Sequence, residues 1–174
     1  MFLFLSCGNK EDILLPKSNI TIVSDVQDHS PIYIFFRTNN KDTLAEVNRK
    51  NSIITTNWIL NIDKRLPLRI VIPEVMKLQD KKRKEKAHKN EKAENYYSYA
   101  DSIGKNMSFI PFTNVYYKLE KPISSCLVFF SKNNEVFFDH RIGNHEELKQ
   151  FLKKLSKEKF NKITFQFDAK MSYG

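Results

Sequence analysis

Two aspartates each close an alternating apolar run. Asp63 ends Trp58-Ile59-Leu60-Asn61-Ile62, and Asp168 ends Ile163-Thr164-Phe165-Gln166-Phe167. A carboxylate pair is one route to general acid–base chemistry. Lys64 follows Asp63 directly, however, and Lys170 lies just beyond Asp168. That neighbourhood suits strand-end ion pairs and turn acceptors better than a shared proton. Of the histidines, His29 stands near Asp25 and Asp28, His140 follows Asp139, and His145 precedes Glu146. None of these sets has the spacing of a zinc motif, so they read as solvated or structural, with His145 on the first turn of a helix. Cys126 sits in an apolar run, where a thiol behaves as a small hydrophobe. Gly-x-Ser-x-Gly, His-Glu-x-x-His and Cys/His nucleophile patterns are absent. The four glycines (Gly8, Gly104, Gly143, Gly174) are scattered, which excludes a Gly-rich phosphate loop. The expectation is a protein without catalytic residues, cofactor or metal.

The strongest compositional signal is positive charge. The chain carries 29 Lys and Arg against 20 Asp and Glu, a net +9. Much of it lies between Lys77 and Lys92, with Asp80, Glu85 and Glu91 interspersed. A single-strand nucleic-acid site would interleave aromatics with this charge, and the run has none, so nucleic acid is not the expected partner. Mixed signs on a helix favour a solvated face with pairs such as Asp80–Lys84 and Glu85–Lys89. The competing reading is contact with anionic lipid or glycan through Lys81, Lys82, Arg83, Lys84, Lys86 and Lys89. Apolar positions thin out after Leu78, so this half of the helix is predicted to project from the body.

The elements that must position these residues follow from periodicity. Apolar residues make up 41% and aromatics 13%, enough for a core and too much for a disordered chain. No apolar run approaches the roughly 18 residues of a spanning helix. Ile20–Val23, Ile32–Phe36 and Trp58–Ile62 read as strands, with Leu44–Val47 pairing back across an Asn39-Asn40 turn. Trp58, Leu60 and Ile62 share one strand face, Ile59 and Asn61 the other. Val71, Val75 and Leu78 recur at helical spacing, predicting a helix from about Leu68 to about Glu94, with Pro73 in its first turn or at a kink. Tyr96, Tyr97 and Tyr99 leave that helix as a docking edge, followed by strands at 109–112 and 115–117. Cys126–Phe130 and Val136–Phe138 form a hairpin. Asn144 with Glu147 then starts an amphipathic helix through Leu148, Phe151, Leu152 and Leu155, and Ile163–Phe167 is the last strand.

An internal repeat is visible. Phe35-Phe36-Arg37-Thr38-Asn39-Asn40 corresponds to Phe129-Phe130-Ser131-Lys132-Asn133-Asn134, and Trp58–Asp63 to Ile163–Asp168. The first copy has a shorter connection where the second has its helix. The predicted fold is α+β: antiparallel hairpins packed with two main helices, as two related half-modules. Phe36 should superpose on Phe130 and Asp63 on Asp168.

Two resemblances bear on address. Met1-Phe2-Leu3-Phe4-Leu5-Ser6-Cys7-Gly8, with the polar Asn9-Lys10-Glu11-Asp12 after it, resembles the end of a bacterial lipoprotein signal. The resemblance implies cleavage after Ser6, lipid attachment at Cys7 and an outer-membrane lipoprotein on the periplasmic or surface-exposed face. The alternative for this segment is a buried N-terminal strand. The strand-end motifs Asp63-Lys64-Arg65-Leu66-Pro67-Leu68 and Asp168-Ala169-Lys170-Met171-Ser172-Tyr173-Gly174, with the hairpins and helices around them, resemble the periplasmic domain of the ExbD/TolR biopolymer-transport family. In that family the strand ending in Ala-Asp-Lys leads into a helix packed on the sheet, so Asp63, Lys64, Asp168 and Lys170 mark equivalent strand ends. The second copy stops where that closing helix would start, and the family's membrane helix with its proton-linked carboxylate has no counterpart here. Residues 1–16 are thus expected to be a signal remnant and tether, 17–120 the first module with the basic helix, and 121–174 the second. The expected function is a non-catalytic, lipid-anchored envelope binding protein, with membrane, envelope protein or anionic glycan as partners. The alternative is an accessory of an ExbD/TolR-type transport complex.

Overall fold

A computed structural model describes residues 12–50, 52–87, 90–119, 127–157 and 163–174. The fold is α+β, built on two separate mixed sheets, each packed with one helix. In the first sheet, β1 is Lys17–Ser18, β2 His29–Asn39, β3 Asp42–Asn48, β4 Asn57–Ile62, β5 Asn95–Asp101 and β6 Met107–Pro111, with α1 spanning Leu68–Lys84 between β4 and β5. The β2–β3 hairpin turns at Asn40, whose φ of 53° is the left-handed conformation that Asn tolerates best after Gly. On the other side of β2 lies β4, parallel, with Ile34 opposite Ile62. β5 adds a further parallel strand, Trp58 opposite Asn95, and β6 closes that side antiparallel. β1 takes over the edge of β5 where β4 leaves it, since Trp58 N–H bonds Glu94 and Ala100 N–H bonds Pro16, both through even-numbered positions.

Burial explains this arrangement. Ile32, Ile34, Trp58, Leu60, Ile62, Val71, Val75, Leu78 and Phe112 form one core between sheet and α1, and each large side chain removed from water contributes roughly 1.5–3 kcal/mol. On the opposite face Ile59 packs with Val26 and Phe109. A strand covered on both faces is what a parallel position demands, and the near-continuous apolar run of β4 supplies it.

The second sheet runs β10-β7-β8-β9, with β7 Leu127–Phe130, β8 Val136–Phe138, β9 Arg141–Gly143 and β10 Thr164–Phe167; α2 spans His145–Lys157. The Asn144–Glu147 cap is reciprocal: Glu147 N–H donates to Asn144 Oδ1 at 3.0 Å and Asn144 N–H to Glu147 Oε2 at 2.9 Å. Val128, Val136, Phe138 and Leu148 are the small core beneath it. β9 was not expected. It is reached through Asp139 and His140, both at positive φ (51° and 60°), the two-residue turn that matches strand twist.

The modules share one plan, a hairpin whose first strand takes a parallel neighbour on its other side: β3-β2-β4 and β8-β7-β10. Asp63 N–H bonds Ile34 O at 3.1 Å, and Asp168 N–H bonds Phe130 O at 2.9 Å. The aspartates are therefore equivalent, as expected, but the hairpin alignment is corrected. Ile34, not Phe36, occupies the place of Phe130, because β2 runs on to Asn39 whereas β7 turns at Ser131. A shift of two residues keeps the same face, so the aromatic pattern could not expose it.

Other expectations also change. α1 stops at Lys84, where Glu85 turns to φ −66°, ψ 126°, well short of Glu94. Pro73 lies inside α1 beyond its first turn and has no N–H for the carbonyl four residues back. The tyrosine run is not an edge: Asn95–Asp101 is paired on both sides. Residues 115–117 form no strand, and of 20–23 only Val23 makes an isolated bridge, to Phe109.

Candidate functional site

At the carboxyl end of β4 the chain turns sharply at Asp63, whose side chain is fully buried. Its Oδ1 accepts from Arg65 N–H at 3.0 Å, an Asx turn. Arg65 also grips the carboxylate with Nε at 2.8 Å and Nη2 at 2.6 Å, and Leu14 N–H reaches Oδ2 at 3.3 Å. Burial opposes ionisation, but the bonds from Arg65 and Leu14 outweigh it and hold the Asp63 carboxyl below its ordinary range. Arg65 in turn lies over the Phe36 ring, 4.6 Å from its centroid. Lys64, half-buried, takes no part in this pair; its N–H donates to Leu14 O at 2.8 Å.

Asp168 makes the same turn. Its Oδ1 accepts from Lys170 N–H at 2.8 Å, and Met171 N–H closes on its carbonyl at 3.0 Å, as Leu66 N–H closes on Asp63 O at 3.1 Å. The two turns then meet. Leu68 N–H donates to Met171 O at 2.8 Å, and Tyr173 N–H donates to Leu66 O at 2.9 Å, with Pro67 and Ser172 forming an antiparallel bridge. Leu66 and Met171 stand three residues after their aspartates, Leu68 and Tyr173 five after. The contact is thus reciprocal: each strand end gives and receives the same bond, as at a two-fold interface. Pro67 has no N–H, and the bridge places it where none is needed.

This exchange also completes α1. Pro67, at its start, has no capping side chain. Leu68 and Arg69 N–H are instead satisfied by the carbonyls of Met171 and Ala169, and Ile70 N–H by Pro67 O. Tyr173 follows the bonds inward. Its ring meets Tyr97 edge-on at 5.7 Å, Tyr97 stacks on Phe112 at 3.8 Å, and the Tyr97 and Tyr117 hydroxyls are 2.7 Å apart. Burial keeps the Tyr173 phenol protonated well above its ordinary range. The last residue, Gly174, passes so close that a Cβ there would lie 2.6 Å from Lys64 Cβ, which leaves no room for a side chain. Among the described residues, every backbone hydrogen bond between the two modules belongs to this tail.

The basic helix differs from expectation. Lys82 is buried, not an anionic-surface contact. Its Nζ donates to Thr56 O at 3.0 Å, Glu94 O at 3.1 Å and Asn95 Oδ1 at 3.0 Å, and it lies 5.0 Å from the Trp58 ring centroid. Burial pulls its ammonium down to about 8, with Glu94 pulling the other way. Arg83 bonds the carbonyls of Thr113 and Val115 and stacks on Tyr116. The helix end is therefore tied to the body and does not project. Lys81, Lys84 and Lys86 are exposed, with Lys84 3.6 Å from Asp80 as the spacing predicted. The end of α1 that carries them lies at the amino ends of β4 and β5, where Lys82 meets Thr56 and Glu94, the end opposite Leu14.

Cys7, Lys89, Cys126 and His88 lie outside the described residues. His29 Nδ1 is 2.7 Å from Val26 O, and His140 belongs to the β8–β9 turn. Among the described residues no three His, Cys, Asp or Glu side chains converge as a metal set, and no helix is long and apolar enough to cross a membrane. The chain matches no family model, no curated protein and no solved structure.

Proposed function

We propose that the chain is a non-catalytic binding protein of the bacterial cell envelope, lipid-anchored at Cys7, whose strand ends dock extended segments. The observation that carries the docking role is the reciprocal contact between Leu66–Leu68 and Met171–Tyr173, an edge that holds an extended chain through backbone bonds and an aromatic anchor. The anchoring rests on the apolar-Ser-Cys-Gly junction and its polar continuation. Leu14 is bonded at the carboxyl end of β4, and seven residues from Cys7 span at most about 25 Å, so that end faces the membrane. Lys81, Lys84 and Lys86 then face away from it, toward an anionic glycan or an acidic partner rather than the tethering lipid.

A second reading, an accessory of an ExbD/TolR-type complex, draws on one specific feature. In the first module the strand ends in an Asp turn and leads directly into a helix packed on the sheet, the order that family uses.

Mass spectrometry of the native protein tests the address: a diacylglyceryl Cys7 terminus in the membrane fraction is expected, moving to the soluble fraction in Cys7→Ser. An unmodified Met1 terminus on a soluble protein contradicts it. Reciprocal co-purification with an ExbB-type membrane subunit would place the second reading first.

A further inference from the structure

The edge at Leu66–Leu68 and the aromatic cup of Tyr97, Phe112 and Tyr117 form a binding site that its own tail occupies. We infer that this is an exchange site: it takes the Ala169–Gly174 segment of a second copy as readily as that of its own chain, giving a dimer in which each second module docks on the partner's first.

Symmetry and the small number of bonds between the modules favour exchange. The contact is reciprocal in its donors and acceptors, so any two strand ends of this type satisfy one another. The two sheets share no strand, so the second module can leave the first without breaking a ladder in either. What must be released is the Leu68–Met171, Arg69–Ala169 and Tyr173–Leu66 bonds, the Tyr173 ring, the close approach of Gly174 to Lys64 and Pro16, and the cleft that Ile20 shares with Leu148 and Leu152 of α2. A second copy restores all of them in identical geometry. Exchange therefore changes no contact within either site, and rising concentration shifts the balance from the closed monomer toward the swapped pair. The exchange rests on the docking role proposed for this edge and not on the anchoring at Cys7.

Pro67 and Ser172 face each other at a bridge flanked by these bonds, the pair type with the shorter Cα separation and one a disulfide can span. In a full-length background with Cys7→Ser and Cys126→Ser, one chain carries Pro67→Cys and a second carries Ser172→Cys. Mixed at rising concentration, briefly loosened in mild urea, returned to buffer and oxidised, they should give a disulfide-linked heterodimer whose yield rises with concentration. Adding Tyr173→Ala to the Ser172→Cys chain should cut that yield at least tenfold. The double variant in one chain should close internally at low concentration, which checks the pair geometry. Should that closure fail, a labelled peptide of residues 168–174 gives a second reading: it should saturate the Tyr173→Ala chain and bind the wild type at least tenfold more weakly, because the resident tail competes. Internal closure without any heterodimer, or peptide saturation without a cross-linked pair, confines the tail to its own chain and overturns the exchange. If neither a cross-link nor peptide saturation is seen, the site itself is overturned.

Discussion

The two strand-end turns are built alike and stand in unlike surroundings. Asp63 is fully buried, takes bonds from Arg65 and Leu14, and sits under a sheet whose core includes Trp58, Ile62 and Leu66. Asp168 is half-buried, ends the edge strand β10, and among the described residues its side chain accepts the single bond from Lys170 N–H. The shared part, an aspartate folding the chain back after a parallel strand, is a local device written in a few residues. The difference comes from what packs around it. In the first module the turn is held by long-range partners, whereas in the second it serves mainly to aim Met171 and Tyr173 at the first. The same motif is thus a keystone in one place and a pointer in the other.

The largest expected effect separates those roles. Asp63→Ala removes a fully buried carboxylate that accepts charge-assisted bonds from Leu14 N–H and the half-exposed Arg65 fork, and should cost about 1.5–3 kcal/mol in urea unfolding. Asp168→Ala should cost less than about 1 kcal/mol by the same assay. Equal losses would remove the distinction.

The Asp63 contribution also has a sign in pH. Its carboxyl is held down in the folded state, so the stability it adds is present above the unfolded value of 3.8 and is lost as pH falls through the lower folded value. The gap in stability between wild type and Asp63→Asn should narrow in acid, measured by thermal melts from pH 6 to pH 2.

Next in size is Lys82→Met, which orphans the acceptors Thr56 O, Glu94 O and Asn95 Oδ1 and should cost about 2 kcal/mol. Because burial lowers the Lys82 ammonium from 10.5 to about 8, the unfolded chain binds more protons between those values. The Lys82 contribution to stability should therefore rise with pH across that window, in melts compared with Lys82→Met. A fall there would show that the ammonium is favoured in the folded state.

The smallest effect is expected at the exposed basic residues. Lys81→Gln with Lys84→Gln should leave stability within about 0.5 kcal/mol of wild type. If the remaining charge contacts an anionic glycan, the pair should weaken retention on a heparin column while Lys82→Gln alters folding instead.

Much of this was legible in the sequence, in proportion to how local each feature is. The hairpins were visible because alternating aromatics run into Asn-Asn turns, and the α2 cap because Asn144 and Glu147 stand at the required spacing. The equivalence of Asp63 and Asp168 followed from two matched strand ends. The burial of Lys82 was also within reach: Val71, Val75, Leu78 and Lys82 continue a four-three-four spacing along one face, but its charge grouped it with Lys81, Arg83 and Lys84. The placement of Asn95–Asp101 inside the sheet was not legible, because a Tyr- and Ser-rich run has the composition of an edge. Nor was the bond exchange between Leu66–Leu68 and Met171–Tyr173. It joins segments about a hundred residues apart, and a reciprocal backbone contact leaves no signature in side-chain pattern.

One reciprocal contact caps α1 and supplies the backbone bonds that join the two modules among the described residues. Amide hydrogen exchange on the full chain at low concentration, read residue by residue, tests it most directly. Leu68 N–H and Tyr173 N–H should be protected to similar extents in the wild type, and Tyr173→Ala should release both together while Ile34, Leu60 and Val128 keep their protection. Leu68 staying protected once Tyr173 is removed would contradict the account, because α1 would then be capped without the tail.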